Sequence, residues 1–391
     1  MSDPGGSLDI QLTPSSGGLV CTIGSTRPVA AASAFIGRSP EETTARLPLL
    51  FSICARAQAG ACAAAFEHAS GWVASPILRG RREAAIAAET IREHLWRILL
   101  DWPPILGESP SRDDMAAVLA LSNRILARID PAGDLFRAGA SAAAGQAPAP
   151  APAPGLDVLL TDLTDLLTHK VLGVSPEHWL SLIGDPSGFA RWCRATETVA
   201  ARLLRSLLES GEASLGQTPI TALPRLSAED LIARMSAPDW ADFVARPTWQ
   251  GQPRETSPFT RVNPLPLIEV YGTGLLVRLA AQLTEVATGL RLLGGNVSGR
   301  AVPAAPSAEG NGIGLGRVFA ARGLLAHFVH VEDGRVREYR ILAPTEWNFH
   351  PRGVVARALE SLPPGPEEQL RRQAELLITA IDPCVAFKLT C

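Results

Sequence analysis

The stretch AARGLLAHFVHVEDGRVREYRILAPTEWNFHPRG, residues 320–353, reads unlike the rest of the chain. β-favouring runs flank Asp333-Gly334, and an Asp-Gly pair between such runs is a strong hairpin signal. Arg322-Gly323 precedes the hairpin; Pro344-Thr345 and Trp347-Asn348 follow it. Arg322 offers a planar fork of donors, and the adjacent glycine allows a backbone or ligand to come close. His327 and His330, taken as sharing one face of the strand, could bind metal as a pair. Structural hydrogen bonding is the expectation for His327.

Outward from this stretch the chain reads as helix. In EAAIAAETIREHLWRILLDWP (83–103) apolar residues recur at Ile91, Leu95, Ile98, Leu99 and Trp102, one helical face. LDVLLTDLTDLLTHKV (156–171) repeats the pattern, and VAARLLRSLLES (199–210) and YGTGLLVRLAAQLTEVA (271–287) also read as amphipathic. Pro366, Glu367 and Glu368 suit a helix start, and Pro383 should stop that helix, leaving Cys384 just past its end. The fold class is therefore α+β, mainly α, with a small β-hairpin element near the C-terminal third.

One segment breaks the pattern. GQAPAPAPAPG (145–155) cannot hydrogen-bond as helix or sheet and should be an extended spacer or surface insertion. The organisation expected is 1–137, carrying Cys54; a spacer over 138–156; and 157–391, carrying the Arg322 block and the Cys384 tail. The first and last parts are expected to pack as one domain.

With 391 residues, 46% of them hydrophobic, the chain can bury a sizeable core. A net charge of −3 without a basic stripe argues against nucleic acid and anionic membrane surfaces. No apolar run is long enough to span a bilayer. No signal peptide is expected, and six cysteines in such a length fit a reduced, cytoplasmic protein.

FSICARAQAGACAAAFEHA (51–69) places Cys54 after an apolar, strand-like run and at the head of an alanine-rich helix. Position 57 is alanine, so no Cys-x-x-Cys forms, and the next cysteine is Cys62. Cys62 is a further candidate: if both lie on one straight helix it is about 12 Å further along, too far for joint ligation with Cys54, but a turn at Cys54 relaxes that limit. Core packing is expected for Cys62, and incidental roles for Cys21, Cys193 and Cys391. Glu67 and His68 are expected to cap or pair locally, and the Arg81-Arg82 and Arg371-Arg372 pairs to face solvent.

Together these segments resemble a known family. RGLLAH (322–327), the EDG hairpin, APTEWNFHPR (343–352) and the final DPC (382–384) are similar to the large subunit of nickel–iron hydrogenases. ETSPFTR (255–261) is similar to that family's Glu-x-Gly-Pro-Leu-x-Arg segment, and SICARAQ (52–58) stands where the family has Arg-x-Cys-Gly-x-Cys. The resemblance implies a large-subunit-like helical core. It also identifies Cys54 and Cys384 with the first cysteine of each of two metal-binding pairs, and Arg322 and Thr345 with donors to cyanide ligands of iron.

The departures matter as much. Ala57 and Phe387 replace the bridging cysteine of each pair, so both bridging thiolates are missing. Thr390 stands at the family's C-terminal histidine and Gln11 near its early acidic residue, while Ala321 replaces a proline. The tail that a maturation protease removes from the enzymes is expected to be lacking, the sequence running seven residues past Cys384. This pattern resembles the HupK/HoxV-type accessory proteins. The resemblance implies a non-catalytic scaffold that transiently holds an Fe(CN)2(CO) fragment on Cys54 and Cys384, with no nickel expected. Its implied partners are hydrogenase maturation chaperones and the apo large subunit. A metal-free decoy of the large subunit and a divergent hydrogenase are the rival readings.

Overall fold

The structure, a computed structural model, describes residues 6–51, 53–138, 155–262, 266–295 and 311–391. The Ala/Pro run at 145–154 lies outside the described residues. The elements that build the site are β1 (Ser7–Ser15), β2 (Gly18–Ser25), α1 (Pro40–Leu50), α2 (Ala55–Ala69), α3 (Pro76–Trp96), α4 (Leu275–Leu293), β3 (Ile313–Ala320), β4 (Gly323–Glu332), β5 (Arg335–Leu342), α5 (Pro344–Asn348), α6 (Glu367–Ile381) and β6 (Ala386–Thr390). Further helices, among them Arg112–Ile129, Leu156–Leu166 and Val199–Glu209, complete a mainly helical α+β fold.

The expected hairpin is β4–β5, antiparallel, with Asp333 and Gly334 both at positive φ (52° and 68°), as a two-residue turn of this kind requires. It gains a third strand, β3, along β4. A second sheet, not anticipated from the sequence, has the order β2-β1-β6. In β1, Leu8, Ile10 and Leu12 are buried and Asp9, Gln11 and Thr13 exposed, the alternation of a half-buried strand. The C-terminal strand β6 lies parallel to β1, with Ser7 opposite Ala386 and Gln11 opposite Thr390.

The alanine-rich α2 lies against the backbone of β3. Gly314 and Gly316 share one face of that strand, and a Cβ on them would come within 1.9 Å of the Ala65 carbonyl oxygen and 1.8 Å of the Ala61 carbonyl oxygen. Only glycine opposite alanine permits this approach. A neighbouring helix supplies the missing cap: Glu89 of α3 accepts the backbone N–H groups of Arg56 (2.8 Å) and Ala57 (2.9 Å), two of the orphan donors at the start of α2. Burial pushes the Glu89 carboxyl up to about 7, against the pull of those N–H groups.

Several expectations change. The apolar residues up to Leu50 belong to α1, with Phe51 as its C-cap, rather than to a strand. Helix α4 is buried on nearly every side rather than amphipathic, because α3 packs along it and it lies within the main core cluster. Arg82 is buried, not solvated: it pairs with Glu67 at 2.8 Å and donates to the Leu135 carbonyl. Glu67 thus pairs with the next helix rather than locally, and His68 accepts the N–H of Leu315 in β3. His327 and His330 are three positions apart, so strand alternation separates them: His327 is fully buried and His330 is half-buried. His327 hydrogen-bonds Tyr339 Oη and Gln58 Oε1, each at 2.9 Å, tying α2 to β4 and β5. The main apolar cluster runs from Leu8 to Val385 and takes residues from both sides of the 139–154 segment.

Two outcomes are expected. Gly316→Val forces a side chain into the α2 backbone and should cost about 3 kcal/mol or more, beyond ordinary overpacking, read as a fall in the urea midpoint. Burial lowers the His327 pKa to about 3, whereas in the unfolded chain it titrates near 6.5. Between those values the unfolded state binds the extra proton, so stability falls as pH drops through that window, by up to about 1.4 kcal/mol per pH unit. His327→Gln should remove that share of the slope between pH 6.5 and 5, whatever it does to stability at pH 7; an unchanged slope would show that His327 is protonated in the fold.

Candidate metal centre

Four chain-distant segments meet at one place: the turn before α2, the β3–β4 connection, the start of α5 and the turn after α6. Cys54 is the N-cap residue of α2, but its side chain caps nothing. With Glu89 satisfying the helix start, the thiol is free to face Arg322, whose Nη1 is 3.6 Å from Cys54 Sγ. The same Nη1 is 3.2 Å from Glu93 Oε2, and Arg322 Nε is 3.1 Å from Asp382 Oδ2. The last pair is close in distance but off line for a hydrogen bond, since both atoms lack a well-aligned partner. Asn348 Nδ2 donates to the Arg322 carbonyl at 3.1 Å, fixing the backbone there.

Cys384 lies two residues past Asp382, the C-cap of α6, which adopts φ 61°. Positive φ at a non-glycine residue is strained. Two arginines hold it there, Arg322 and Arg97, whose Nε is 2.7 Å from Asp382 Oδ1. Arg97 also donates to the Pro383 carbonyl at 3.1 Å. Thr345 Oγ1 is hydrogen-bonded to Cys384 Sγ at 2.9 Å. Arg27, just past β2, donates to the same sulfur from Nη1 at 3.1 Å and to Glu346 Oε1 from Nε at 2.5 Å.

The two thiols lie within each other's electrostatic reach, although 330 positions separate them. Burial pushes the Cys54 thiol well up; Arg322 opposes this, and Cys384, Glu89 and Glu93 reinforce it. A metal taken up here must therefore displace a proton. The other cysteines stand apart from this pocket. Cys62 is fully buried among Val329, Val336 and Tyr339, and burial pushes its thiol up to about 12 despite the Tyr339 hydrogen bond. Cys21 and Cys193 are likewise buried, with thiols raised to about 12.

Ala57 is buried beside Ala61, Ala320 and Leu325, but Phe387 is 36% exposed on β6, not a core residue. The segment 255–261 is a brace: Glu255 pairs with Arg278 and Arg261 with Glu285, both on α4, and Arg261 also donates to the Ala321 carbonyl beside Arg322. Burial would raise the Glu285 carboxyl, but Arg261 and His94 pull it down to about 2.

Sequence reasoning brought Cys54, Cys384, Arg322 and Thr345 forward, and the fold gathers all four. It missed Arg27, Glu346, Glu93 and Asp382. Among the described residues no three His, Cys, Asp or Glu side chains converge as a set able to hold a metal ion. The site offers two soft thiols beside the N–H and O–H groups of Arg322, Arg27 and Thr345, with Glu93, Asp382 and Glu346 pairing the arginines.

A family model for nickel-dependent hydrogenases matches residues 295–388. Over nearly the whole chain the likeness is to a different set of proteins. The chain is 32% identical over 384 residues to the hydrogenase expression/formation protein HoxV of Cupriavidus necator, covering 95% of this chain and 92% of that one. The chain belongs to the HoxV/HupK family of hydrogenase expression/formation proteins. HupK of Azotobacter vinelandii is also 32% identical, over 364 residues, covering 90% and 88% of the two chains. The fold is that of hydrogenase large subunits: the Ni-Fe-Se hydrogenase of D. vulgaris Hildenborough superposes with a TM-score of 0.60 over 95% of each chain, at 16% identity. The relatives that match most of this chain are named as formation proteins, while its architecture is that of hydrogenase large subunits. No described helix is long and apolar enough to cross a membrane.

Restoring the missing cysteines tests what the two substitutions do. Ala57→Cys, Phe387→Cys would offer four thiols, and four soft ligands hold a late divalent metal better than two. The folding risk lies at buried Ala57, where an added sulfur overpacks the core at about 1–3 kcal/mol. The folded double variant should co-purify with nickel or zinc well above the parent; equal metal content would show that loss of these cysteines does not disable the site.

Proposed function

We propose that this protein is a non-catalytic scaffold in nickel–iron hydrogenase maturation, holding an Fe(CN)2(CO) fragment before its transfer to the apo large subunit. Maturation chaperones deliver the fragment, and the large subunit receives it. The observation that carries this reading is Arg322 Nη1 at 3.6 Å from Cys54 Sγ, with Thr345 Oγ1 at 2.9 Å from Cys384 Sγ: each soft thiol has its own hydrogen-bond donor beside it.

The donor set suits such a cargo. An iron with three diatomic ligands needs few from the protein, and two thiols are what the pocket supplies. Arg322, buried and held by Asp382 and Glu93, orients its fork beside Cys54. A cyanide nitrogen is an acceptor that a guanidinium or hydroxyl recognises. Ala57 and Phe387 leave the bridging positions without thiolates, so the pocket can hold iron without locking a second metal against it. Release then breaks only the two iron–thiolate bonds, with no second metal bridged to the iron.

Infrared spectroscopy on protein purified from cells with the maturation machinery tests the reading. Cyanide and carbonyl stretching bands are expected, and should vanish in Cys54→Ala and Cys384→Ala. Their absence from the parent would favour a metal-free decoy of the large subunit, and hydrogen uptake by the purified protein would make it an enzyme. Arg322→Lys keeps the charge but loses the planar fork. It should fold, shift the cyanide bands and retain severalfold less iron at equal protein.

A further inference from the structure

Arg27 belongs to none of the segments that align with hydrogenase motifs, yet it makes the closest charged contact to Cys384. Its position is built. The Thr26 N–H bonds the Ser7 carbonyl at 2.9 Å, closing the end of β2 onto β1. Gly6, at φ 75°, lies so close beneath that a Cβ there would meet Arg27 Cα at 2.6 Å. Because Ser7 is also opposite Ala386 of β6, the Arg27 side chain reaches across the end of β1 to the cysteine two residues before that strand. Glu346 receives Nε at 2.5 Å and orients the guanidinium, and Nη1 rests on Cys384 Sγ at 3.1 Å. The second carboxylate oxygen, Glu346 Oε2, is buried and has no hydrogen-bond partner among the described residues.

A fixed, permanently charged guanidinium thus lies between the two groups at this end of the pocket that would otherwise bind a cation, a thiol and a carboxylate. A divalent ion approaching Cys384 meets like charge in a partly dry site, where repulsion is far less screened than in water. We propose that Arg27 is the specificity-determining residue of the site: it occupies the place of a cation between Cys384 and Glu346 and excludes bare divalent metal ions from the thiol pair.

Cobalt(II) titration of the purified, metal-free protein tests this, followed by the near-ultraviolet thiolate-to-cobalt absorption. Loaded iron is not involved, so the result is independent of whether the protein carries Fe(CN)2(CO). The parent should bind weakly. Arg27→Met, similar in reach and uncharged, should bind at least about tenfold tighter, a factor equivalent to ~1.4 kcal/mol. Arg27→Gln should do the same and serves if the Met variant does not fold. Arg27→Lys should stay near the parent, because the charge and not the fork excludes the ion. Adding Cys384→Ala to the Met variant should abolish the gain. The proposal is overturned if folded Met and Gln variants bind cobalt no tighter than the parent, or if the Lys variant binds as tightly as they do.

Discussion

The buried guanidinium of Arg322 is the constraint around which the rest of the site is arranged. It is 2% exposed, and a charge so enclosed must be matched inside the protein. Asp382 and Glu93 match it, the first from the turn after α6 and the second from α3. Removing one partner from a buried pair typically costs about 3–5 kcal/mol, because the other is left uncompensated. Asp382 in turn needs two arginines to hold its positive φ. The strained turn therefore exists only where the ion network exists, and Cys384 is carried on that turn. The network positions a thiol without touching it.

Cys54 reaches the same place by packing. Helix α2 can lie on β3 only because Gly314 and Gly316 face Ala61 and Ala65. That contact sets the depth of the helix, Glu89 sets its start, and the bond from Gln58 to His327 sets its rotation. Cys54 at the N-cap then faces the arginine at the head of β4. Backbone contact fixes one thiol and charge fixes the other, so destabilising either support should separate the pair without altering a ligand.

Local chemistry made part of this legible. Asp333-Gly334 announced its hairpin, Pro366 and Pro383 bounded α6, and the resemblance to hydrogenase large subunits put Cys54, Cys384, Arg322 and Thr345 together. The N-terminal sheet was readable but unread: LDIQLTP alternates with period two, and Ser16-Gly17 separates it from a second β-rich run. Gly314 and Gly316, two apart in a strand, are likewise a sign of close backbone approach. Arg27 carries no such sign. It lies 357 positions from Cys384 and meets it only because β6 inserts beside β1, a non-local pairing that no window of sequence contains. Burial of Arg82 and of nearly every side of α4 is equally a property of neighbours, which neither the charge of the one nor the periodicity of the other reveals.

The two supports also bear on the scaffold role proposed for this large-subunit fold. Under that proposal the fold keeps what would orient ligands: the arginine fork, the threonine, the braces from Glu255 and Arg261 to α4. It gives up what closes the site: Ala57 packs into a small apolar cluster, and Phe387 sits half-exposed on an edge strand. Orientation without closure is what a temporary holder requires. Affinity that scales with thiolate number would be lowered, while recognition by hydrogen bonds would be kept. Under that proposal, a cargo that brings its own acceptors would be distinguished from a bare ion, which would find two thiols with an arginine beside each.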